Sequence, residues 1–389
     1  MRRRVIIHWG ISSFFGWGVY GLNLASSWSR DPDVEPVCSF PIQADQIRVD
    51  PLRQLALQPF LNASADFQAA IEAGQGSRRS EPTPMLASVN GNFTLLRAVH
   101  DVALTGRPTL AATFFESEKL SPEAVTRASA FDRVITGSRW NEAVLRDHGL
   151  TQVETVLQGI DPTLFHPAPR EGVLGDRFLV FSGGKLERRK GQDIVLAAFR
   201  TFAASRPDAM LATAWHSPWG EKAATLDGSD LTSPVIHDAR GRIDVVSWAQ
   251  ANGLRPDQVL DLGAPPNALM PSLLREMDVA VFPNRCEGGT NLVAMECMAC
   301  GVPAILSANS GHLDLIAPDN CYALEHQSPV ADQPGWRDSD VDEVVAALER
   351  AYENRDEAAR RGAAGARTLA QLPWSRTAAG VKAAVLACI

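Results

Sequence analysis

The chain lacks several features that define particular protein classes. Positive charge is not in excess, because 37 lysine and arginine residues stand against 45 aspartate and glutamate residues and leave a net charge of −8. General nucleic-acid binding needs a basic face, so this balance argues against it. There is also no internal repeat and no low-complexity tract. Hydrophobic residues make up 45% and charged residues 21%, which is ordinary for a soluble globular enzyme.

Cysteine is scarce and shows no framework spacing. The six cysteines stand at positions 38, 286, 297, 300, 321 and 388. Cys297 and Cys300 form the only close pair, and the lack of a second pair disfavours a zinc site. Both fall in a segment that is better explained as a packed helix, so we expect no metal site. Free thiols fit a reducing compartment, which predicts a cytoplasmic protein.

No hydrophobic run is long and continuous enough for a membrane span. The nearest approach is the amino terminus, where Met1-Arg2-Arg3-Arg4 precedes a stretch without charge up to Arg30 and resembles a signal peptide. One histidine and four glycines interrupt this stretch, at positions 8, 10, 16, 18 and 21. These interruptions disfavour a signal peptide and a span, and favour a strand over 5–8, a glycine-rich loop and a helix near 19–24.

The length of the chain predicts two domains, because 389 residues exceed the size at which a single hydrophobic core usually stops growing. Prolines in the stretch 166–170 predict a linker. Helical spacing of Val341, Val344, Val345 and Leu348 predicts long amphipathic helices near the end. Apolar segments predict strands at 4–8, 34–39, 85–89, 108–114, 132–136, 153–157, 178–182, 209–214, 258–262, 279–283 and 303–307, with an irregular insertion at 215–245.

Residues 281–303, VFPNRCEGGTNLVAMECMACGVP, carry the strongest functional signal. They predict a short strand, a glycine-bearing loop, a helix and a Gly-Val-Pro exit. In a doubly wound α/β domain, ligands bind beyond the carboxyl ends of the strands. A helix that begins there points its free N–H groups at the ligand and favours anions. With Glu287 and Glu296 beside it, this helix start suits a ligand that is phosphorylated and rich in hydroxyls, such as a nucleotide-sugar.

A second segment, FLVFSGGKLERRKGQDIVLAAF at 178–199, predicts a strand, a glycine-rich basic turn and an amphipathic helix. Lys185 and Lys190 stand five residues apart across this turn. A cationic turn that faces a diphosphate leaving group would neutralise charge as it develops, which is often the largest catalytic contribution. The alternative is a solvated surface turn, and pairing with 281–303 favours the functional interpretation.

Together, GGKLERRKGQDIVLAAF and PNRCEGGTNLVAMECMACGVPAI resemble the retaining family 4 glycosyltransferases of the GT-B fold. That family has a Gly-Arg-Leu turn with a lysine five residues after the arginine, then two glutamates separated by seven residues and Ala-Met-Ala-Cys-Gly-x-Pro. Here a lysine stands at 185, and eight residues separate the glutamates. The stretches at 134–150 and 156–167 resemble the last amino-terminal elements of the family.

The resemblance implies a fold class of α/β, GT-B, with two Rossmann-like doubly wound domains that face a central cleft. The implied domains are 1–168 on the acceptor side, 169–370 for the nucleotide-sugar donor, and a final helix over 371–389 that packs back on the first domain. It also implies roles for single residues. Lys185 and Lys190 would bind the donor diphosphate, Glu287 would contact the transferred sugar, and Glu296 would hold the ribose hydroxyls.

Further donor-binding candidates follow from the same resemblance. Asn291 and Leu292 open the helix whose amides touch the phosphates, and Gly263 and Ala264 match a loop that meets the nucleobase. Glycines and a threonine that let the backbone approach the donor complete the set: Gly16, Gly18, Gly184, Gly288, Gly289 and Thr290. Glu116 and Arg139 are candidate cleft residues, with a loop cap and a surface arginine as the alternatives. His312 follows another predicted strand end and is either a residue that approaches the sugar or a surface-loop histidine, and the second interpretation is favoured.

The function predicted from the sequence is transfer of a sugar from a nucleoside-diphosphate sugar to an acceptor hydroxyl, with retention and without metal or cofactor. The implied partners are the donor and an acceptor glycan or glycolipid, with a peripheral contact at the inner membrane left open. A sugar-binding GT-B protein without catalysis is one alternative. A Rossmann-type NAD oxidoreductase is another, supported only by the glycines at 16, 18 and 21, a weak signal by itself.

Overall fold

The computed structural model describes residues 2–74, 77–216 and 219–389. The chain forms two compact units. One takes in residues up to Gly159 together with Pro266–Ala268 and Leu372–Ile389, and the other comprises Ile160–Pro265 and Leu269–Gln371. The boundary thus falls before the expected linker at 166–170. The reason is that Arg275 donates hydrogen bonds to the carbonyls of Leu164 (2.8 Å) and His166 (3.1 Å), which ties that segment to the second unit.

Strands and helices alternate along most of the chain. The strands are β1 Arg3–His8, β2 Val34–Cys38, β3 Arg78–Ser80, β4 Met85–Val89, β5 Ala103–Thr105, β6 Thr109–Thr113, β7 Arg133–Thr136, β8 Val153–Thr155, β9 Phe178–Gly183, β10 Ala209–Ala214, β11 Val259–Asp261, β12 Val279–Phe282, β13 Ala304–Ser307, β14 Tyr322–Leu324, β15 Gln327–Pro329 and β16 Arg337–Ser339. The helices are α1 Gly16–Trp28, α2 Pro51–Ala73, α3 Pro122–Ser129, α4 Arg139–Asp147, α5 Gln192–Ala203, α6 Val245–Ala251, α7 Met270–Leu274, α8 Leu292–Ala299, α9 Val341–Glu353, α10 Arg355–Leu369 and α11 Trp374–Leu386.

The first unit is built on a parallel sheet in the order β2-β1-β4-β6-β7-β8. Its central strands are apolar on both faces. In β1, for example, the consecutive residues Val5, Ile6 and Ile7 point to alternating faces and are all buried. Strands buried on both sides are expected where helices cover a parallel sheet. Helix α11 packs within this unit, where the indole of Trp28 on α1 donates a hydrogen bond to the carbonyl of Ala378 (3.1 Å).

The second unit contains a parallel sheet in the order β11-β10-β9-β12-β13-β14. Counted along the chain, these strands run third, second, first, fourth, fifth and sixth, which is the doubly wound Rossmann order. The order of the strands therefore reverses between β9 and β12, and in such sheets ligands bind in a crevice at the carboxyl ends of the strands at this point. The two Rossmann-like α/β domains predicted from the sequence are confirmed.

Several elements depart from the sequence prediction. Strand β14 extends the second sheet, and the short pairs β3-β5 and β15-β16 lie outside both large sheets. The expected insertion at 215–245 contains a 3₁₀ helix over Gly220–Leu226 and buries Trp215 and Leu226 in the core of the second unit. In the described part of the chain, no helix combines the length and the apolar character that a membrane crossing requires.

Candidate functional site

The two segments singled out by the sequence follow the two strands at the reversal point of the second sheet. Strand β9 pairs in parallel with β12 through Val180 and Val279. Since the carboxyl ends of parallel strands meet at one sheet edge, the loop after β9 and the loop after β12 emerge side by side. The methyl Cγ1 of Val293, in the first turn of α8, lies 2.8 Å from the Cβ position that a side chain at Gly183 would occupy. The first turn of α8 therefore packs directly on the end of β9.

The basic turn after β9 is held against the neighbouring loop by Gly191. This residue has φ +72° and precedes the first residue of α5. A Cβ here would overlap the carbonyl oxygen of Pro283, so glycine is required for both conformation and space. The close approach brings the 3₁₀ turn Arg188–Lys190 onto the loop that carries Glu287.

A cluster of buried charges joins the two loops. The ammonium of Lys190 lies 2.5 Å from Oε1 of Glu287, and Nη1 of Arg189 lies 3.3 Å from the same oxygen. Asn284 donates a further hydrogen bond to this carboxylate. Burial alone would raise the pKa of Glu287, but Lys190 and Arg189 outweigh it and lower this pKa to about 2. Glu287 is therefore ionised at neutral pH and accepts hydrogen bonds without donating any.

Lys185 occupies a different part of the turn from Lys190. Its ammonium lies 3.3 Å from Oε2 of Glu187 and 5.9 Å from the ring centre of Trp219. About a third of the Lys185 side chain is exposed, against about a tenth for Lys190. Burial lowers the pKa of Lys190, and the carboxylate of Glu287 opposes that shift. The structure thus separates a buried, paired lysine from a half-exposed one.

Helix α8 begins without a side-chain cap. Asn291 precedes it in the left-handed conformation, with φ 61° and ψ 88°, and its side chain does not cap the helix. The Asn291 side chain therefore does not compete with an anion for the first N–H groups of the helix, where the partial positive charge of a helix start favours anions. Leu292 is the first helical residue, and Glu296 lies one turn further on, 7% exposed.

The loop before α8 is packed closely against the segment that follows β13. A Cβ at Gly311 would overlap the carbonyl oxygen of Gly289, so the two backbones touch. The amide of Gly311 donates to the carbonyl of Glu287 (2.9 Å), and Ser310 accepts from the Glu287 amide (2.7 Å). The predicted loop residues Gly288, Gly289 and Thr290 are all buried. This packing fixes the backbone at Glu287 in one orientation.

The expectation that His312 is a surface histidine is wrong. Its side chain is fully buried, with Nε2 3.1 Å from Nδ2 of Asn291 and Nδ1 3.0 Å from Oγ of Ser307. Burial lowers the pKa of His312 to about 4, although the Glu287 carboxylate raises it. The imidazole is thus neutral and part of the site. A histidine shortly after a predicted strand was the available signal, and its local sequence carried no indication of burial.

Arg285 is a residue that sequence reasoning did not single out. Its guanidinium forms two 2.8 Å contacts with the buried Asp193 on α5, and its Nε lies 2.5 Å from Asp338 on β16. Burial lowers the pKa of Arg285, but the bonds to Asp193 and Asp338 outweigh this effect and raise it. Arg285 therefore joins the loop after β12 to the helix after β9. No sequence motif marks this long-range pairing.

The remaining predicted site residues lie on several elements. Gly263 has φ +70° after β11, and its amide donates to Asp261 (3.0 Å), which also contacts His216 after β10 (2.7 Å). Ala264 is exposed and Gly184, at φ +117°, follows β9. These positions belong to the same carboxyl edge as Glu287, because β9, β10, β11 and β12 are parallel.

Candidates in the first unit have local roles in the structure. Gly16 opens α1, and Gly18 lies inside that helix where a Cβ would overlap Ser12. Packing thus accounts for Gly18, and the same holds for Gly21 against Trp9. Glu116 is half-buried after β6. Arg139 is exposed at the first position of α4, whose N-cap is Ser138. Among residues 2–74, 77–216 and 219–389, no three histidine, cysteine or acidic side chains are grouped as a metal site.

Comparison with known proteins finds similarity to glycosyltransferases. Residues 264–381 match the model of the family 4 glycosyltransferase in conflict systems. A D-inositol 3-phosphate glycosyltransferase of Arthrobacter sp. (strain FB24) is 27% identical over 238 residues, 58% of this chain and 48% of the relative. Another protein of that name, from Paenarthrobacter aurescens (strain TC1), is 30% identical over 241 residues, 59% and 50% of the two chains. The chain spans about half the length of the curated relatives it matches.

Solved structures share the fold over nearly the whole chain. Sucrose-phosphate synthase from Thermosynechococcus elongatus matches with a TM-score of 0.65 and 17% identity, and covers 98% of both chains. HepE of Anabaena in complex with UDP-glucose matches with a TM-score of 0.63 and 15% identity, and covers 99% of both chains. At these identities the likeness concerns the fold. The resemblance to the family 4 glycosyltransferases is confirmed, and the fold of the chain is GT-B.

Proposed function

We propose that this chain is a retaining, hexosyl-type glycosyltransferase that moves a sugar from a nucleoside-diphosphate sugar to an acceptor hydroxyl. The observation that carries the proposal is the Lys190–Glu287 pair beside the uncapped start of α8, at the reversal point of the second sheet. A site with buried cations, a helix start without a side-chain cap and an ionised carboxylate matches the two halves of such a donor. The relatives named as glycosyltransferases and the UDP-glucose complex of HepE support the same substrate class.

The diphosphate would bind at the positively charged part of the site, between the start of α8 and the basic turn after β9. The first amides of α8 and the ammonium of Lys190 supply this charge, and Lys185 lies on the same turn with about a third of its side chain exposed. Because Lys190 is buried, its interaction with a phosphate is less screened than on the surface. Glu296 on α8 is the candidate partner of the ribose hydroxyls. Gly263 and Ala264 are the candidates for the nucleobase.

The chemistry we propose needs no protein nucleophile. The bond between the anomeric carbon and the β-phosphate oxygen breaks, and a bond to the acceptor oxygen forms on the same face. The acceptor proton passes to the departing diphosphate, so charge and atoms balance. Glu287 is ionised, with a pKa near 2, and therefore orients the sugar hydroxyls and stabilises positive charge on the ring without acting as an acid.

A glycan or glycolipid hydroxyl is the acceptor class, in a cytoplasmic protein that meets the inner membrane peripherally. We propose that catalysis uses neither a metal nor a cofactor, because Lys190 and the amides of α8 provide the charge that a divalent ion would otherwise supply.

The direct test is a panel of UDP-, GDP- and ADP-sugars, with binding followed by thermal shift and turnover followed by release of the nucleoside diphosphate. We expect at least one donor to raise the melting temperature and to be turned over when acceptor is present. Retention is checked by NMR of the anomeric configuration in the product. Binding without release or transfer would instead support the sugar-binding alternative, and an absorbance change with NAD would support an oxidoreductase.

A further inference from the structure

The start of α8 depends on a residue in an unfavourable backbone conformation. Asn291 has a positive φ of 61°, a region that L-amino acids adopt at a cost of roughly 1–2 kcal/mol and that glycine enters freely. Asparagine tolerates it better than most residues, but its usual compensation at a helix start is a side-chain bond to the helix amides. Asn291 makes no such bond. Its amide group is instead committed to His312.

The hydrogen bonds around His312 define which ring nitrogen carries the proton. The hydroxyl of Ser307 donates to the carbonyl of Asn284 (2.7 Å), so its oxygen is free to accept from Nδ1 of His312 (3.0 Å). With the proton on Nδ1, Nε2 has a lone pair that accepts from the amide nitrogen of Asn291 (3.1 Å). Burial favours this neutral form of the ring. The end of β13 is thereby connected through one imidazole to the residue that precedes α8.

We propose that His312 is a positioning residue for the donor diphosphate. By accepting a hydrogen bond from Asn291, it holds the left-handed turn that directs the first N–H groups of α8 towards the carboxyl edge of the sheet. This inference rests on the proposed function, since it assigns those N–H groups to a phosphate. It concerns the phosphate end of the donor, while Glu287 concerns the sugar.

Two conservative substitutions separate this role from a general packing role. The amide oxygen of a glutamine reaches the position of Nε2, so His312→Gln keeps an acceptor for Asn291. An asparagine reaches only the position of Nδ1, so His312→Asn keeps the bond towards Ser307 and loses the acceptor. Both substitutes are neutral and polar. The affinity for UDP, GDP and ADP is measured by calorimetry for the wild type and both variants.

We expect the affinity for the nucleoside diphosphate that binds to fall about tenfold in His312→Asn, because the hydrogen bond that restrains Asn291 is lost. In His312→Gln this bond is retained, and we expect the affinity to stay within about threefold of the wild type. Asn291→Gly supplies a second test, because glycine adopts the turn without help. In that background, His312→Asn is expected to cause no further loss of affinity. This non-additivity is a signature that general destabilisation does not produce.

Three outcomes would overturn the inference. One is equal loss in the asparagine and glutamine variants, and another is an additive effect of His312→Asn in the Asn291→Gly background. The third is a crystal structure of His312→Asn in which Asn291 keeps its positive φ. Failure of the proposed function has a different result, because the wild type itself would then bind none of the three nucleoside diphosphates, and the inference would fall with it.

Discussion

The ammonium of Lys190 and the carboxylate of Glu287 are 2.5 Å apart, although they lie 97 positions apart along the chain. Each follows one of the two parallel strands, β9 and β12, between which the strand order of the second sheet reverses. Both are largely buried, so the pair is screened little by solvent. A donor diphosphate at this edge would meet the lysine, and its sugar would meet the carboxylate.

Replacement of Lys190 by alanine is expected to reduce sugar transfer by a factor of about 100 or more, because the departing diphosphate loses a buried cation. The kinetics of nucleoside-diphosphate release measure this effect. Lys382→Ala is the matched control, since Lys382 is also ion-paired, with Asp31 (2.8 Å) and Asp33 (3.0 Å) in the other unit. Turnover of the Lys190 variant at the level of the control would remove Lys190 from the site.

The substitution Glu287→Gln is expected to lower kcat by about 10- to 1000-fold, with a smaller change in donor affinity. Glutamine keeps the shape of the side chain but removes the negative charge that stabilises the sugar ring in the transition state. Glu276→Gln is the control, because Glu276 is a buried carboxylate of the same unit that accepts backbone bonds from Glu171 and Gly172. Steady-state kinetics with calorimetry separate the two parameters. An unchanged kcat for Glu287→Gln would contradict the assigned role.

Two glycine substitutions test the close approach of the loops. Both Gly191 and Gly149 have positive φ, of 72° and 86°. A Cβ at Gly149 meets nothing within 4 Å, whereas one at Gly191 overlaps Pro283. We expect Gly149→Ala to cost about 1 kcal/mol of folding free energy and Gly191→Ala clearly more, about 3 kcal/mol. Thermal unfolding compares them, and equal losses would show that Pro283 yields without penalty.

The pH dependence of stability is expected to reveal the buried His312. Its pKa is about 4 when folded, below the ordinary 6.5 of an exposed imidazole. Between these values the unfolded chain binds more protons, so the stabilisation is complete above pH 6.5 and is lost as the pH falls towards 4. The difference amounts to roughly 3 kcal/mol at about 1.4 kcal/mol per pH unit.

His312→Gln removes this titration, and its melting temperature should therefore fall less steeply than that of the wild type between pH 6.5 and 4. The charged groups that face the imidazole are Glu287, Lys190 and Arg189. Glu287 stays ionised across this range in the folded protein, with a pKa of about 2, and it is present in both proteins, so the loss of stability that begins as its unfolded-state carboxyl is protonated near pH 4.5 is common to the two profiles. Parallel pH profiles for the two proteins would show that His312 is not the titrating group.

The sequence predicted the strands of both large sheets except β14, and it placed the basic turn and the glutamate loop at strand ends. It did so because these features are local: a buried strand is a short apolar run, and a glycine-rich turn shows its composition directly. It missed Arg285 and placed His312 on the surface. Both side chains form hydrogen bonds with partners that are distant along the chain: Arg285 with Asp193, and His312 with Asn291.

The sequence by itself determined the alternation of strands and helices and the chemical types at the two strand ends, two lysines after β9 and two glutamates after β12. Only the tertiary structure decided that Lys190 and Glu287 share one ion pair while Lys185 turns to Glu187. It also decided that the imidazole of His312 is buried and neutral. The physical reason is that strand order and burial set these distances and pKa values, and neither is encoded in the neighbours along the chain.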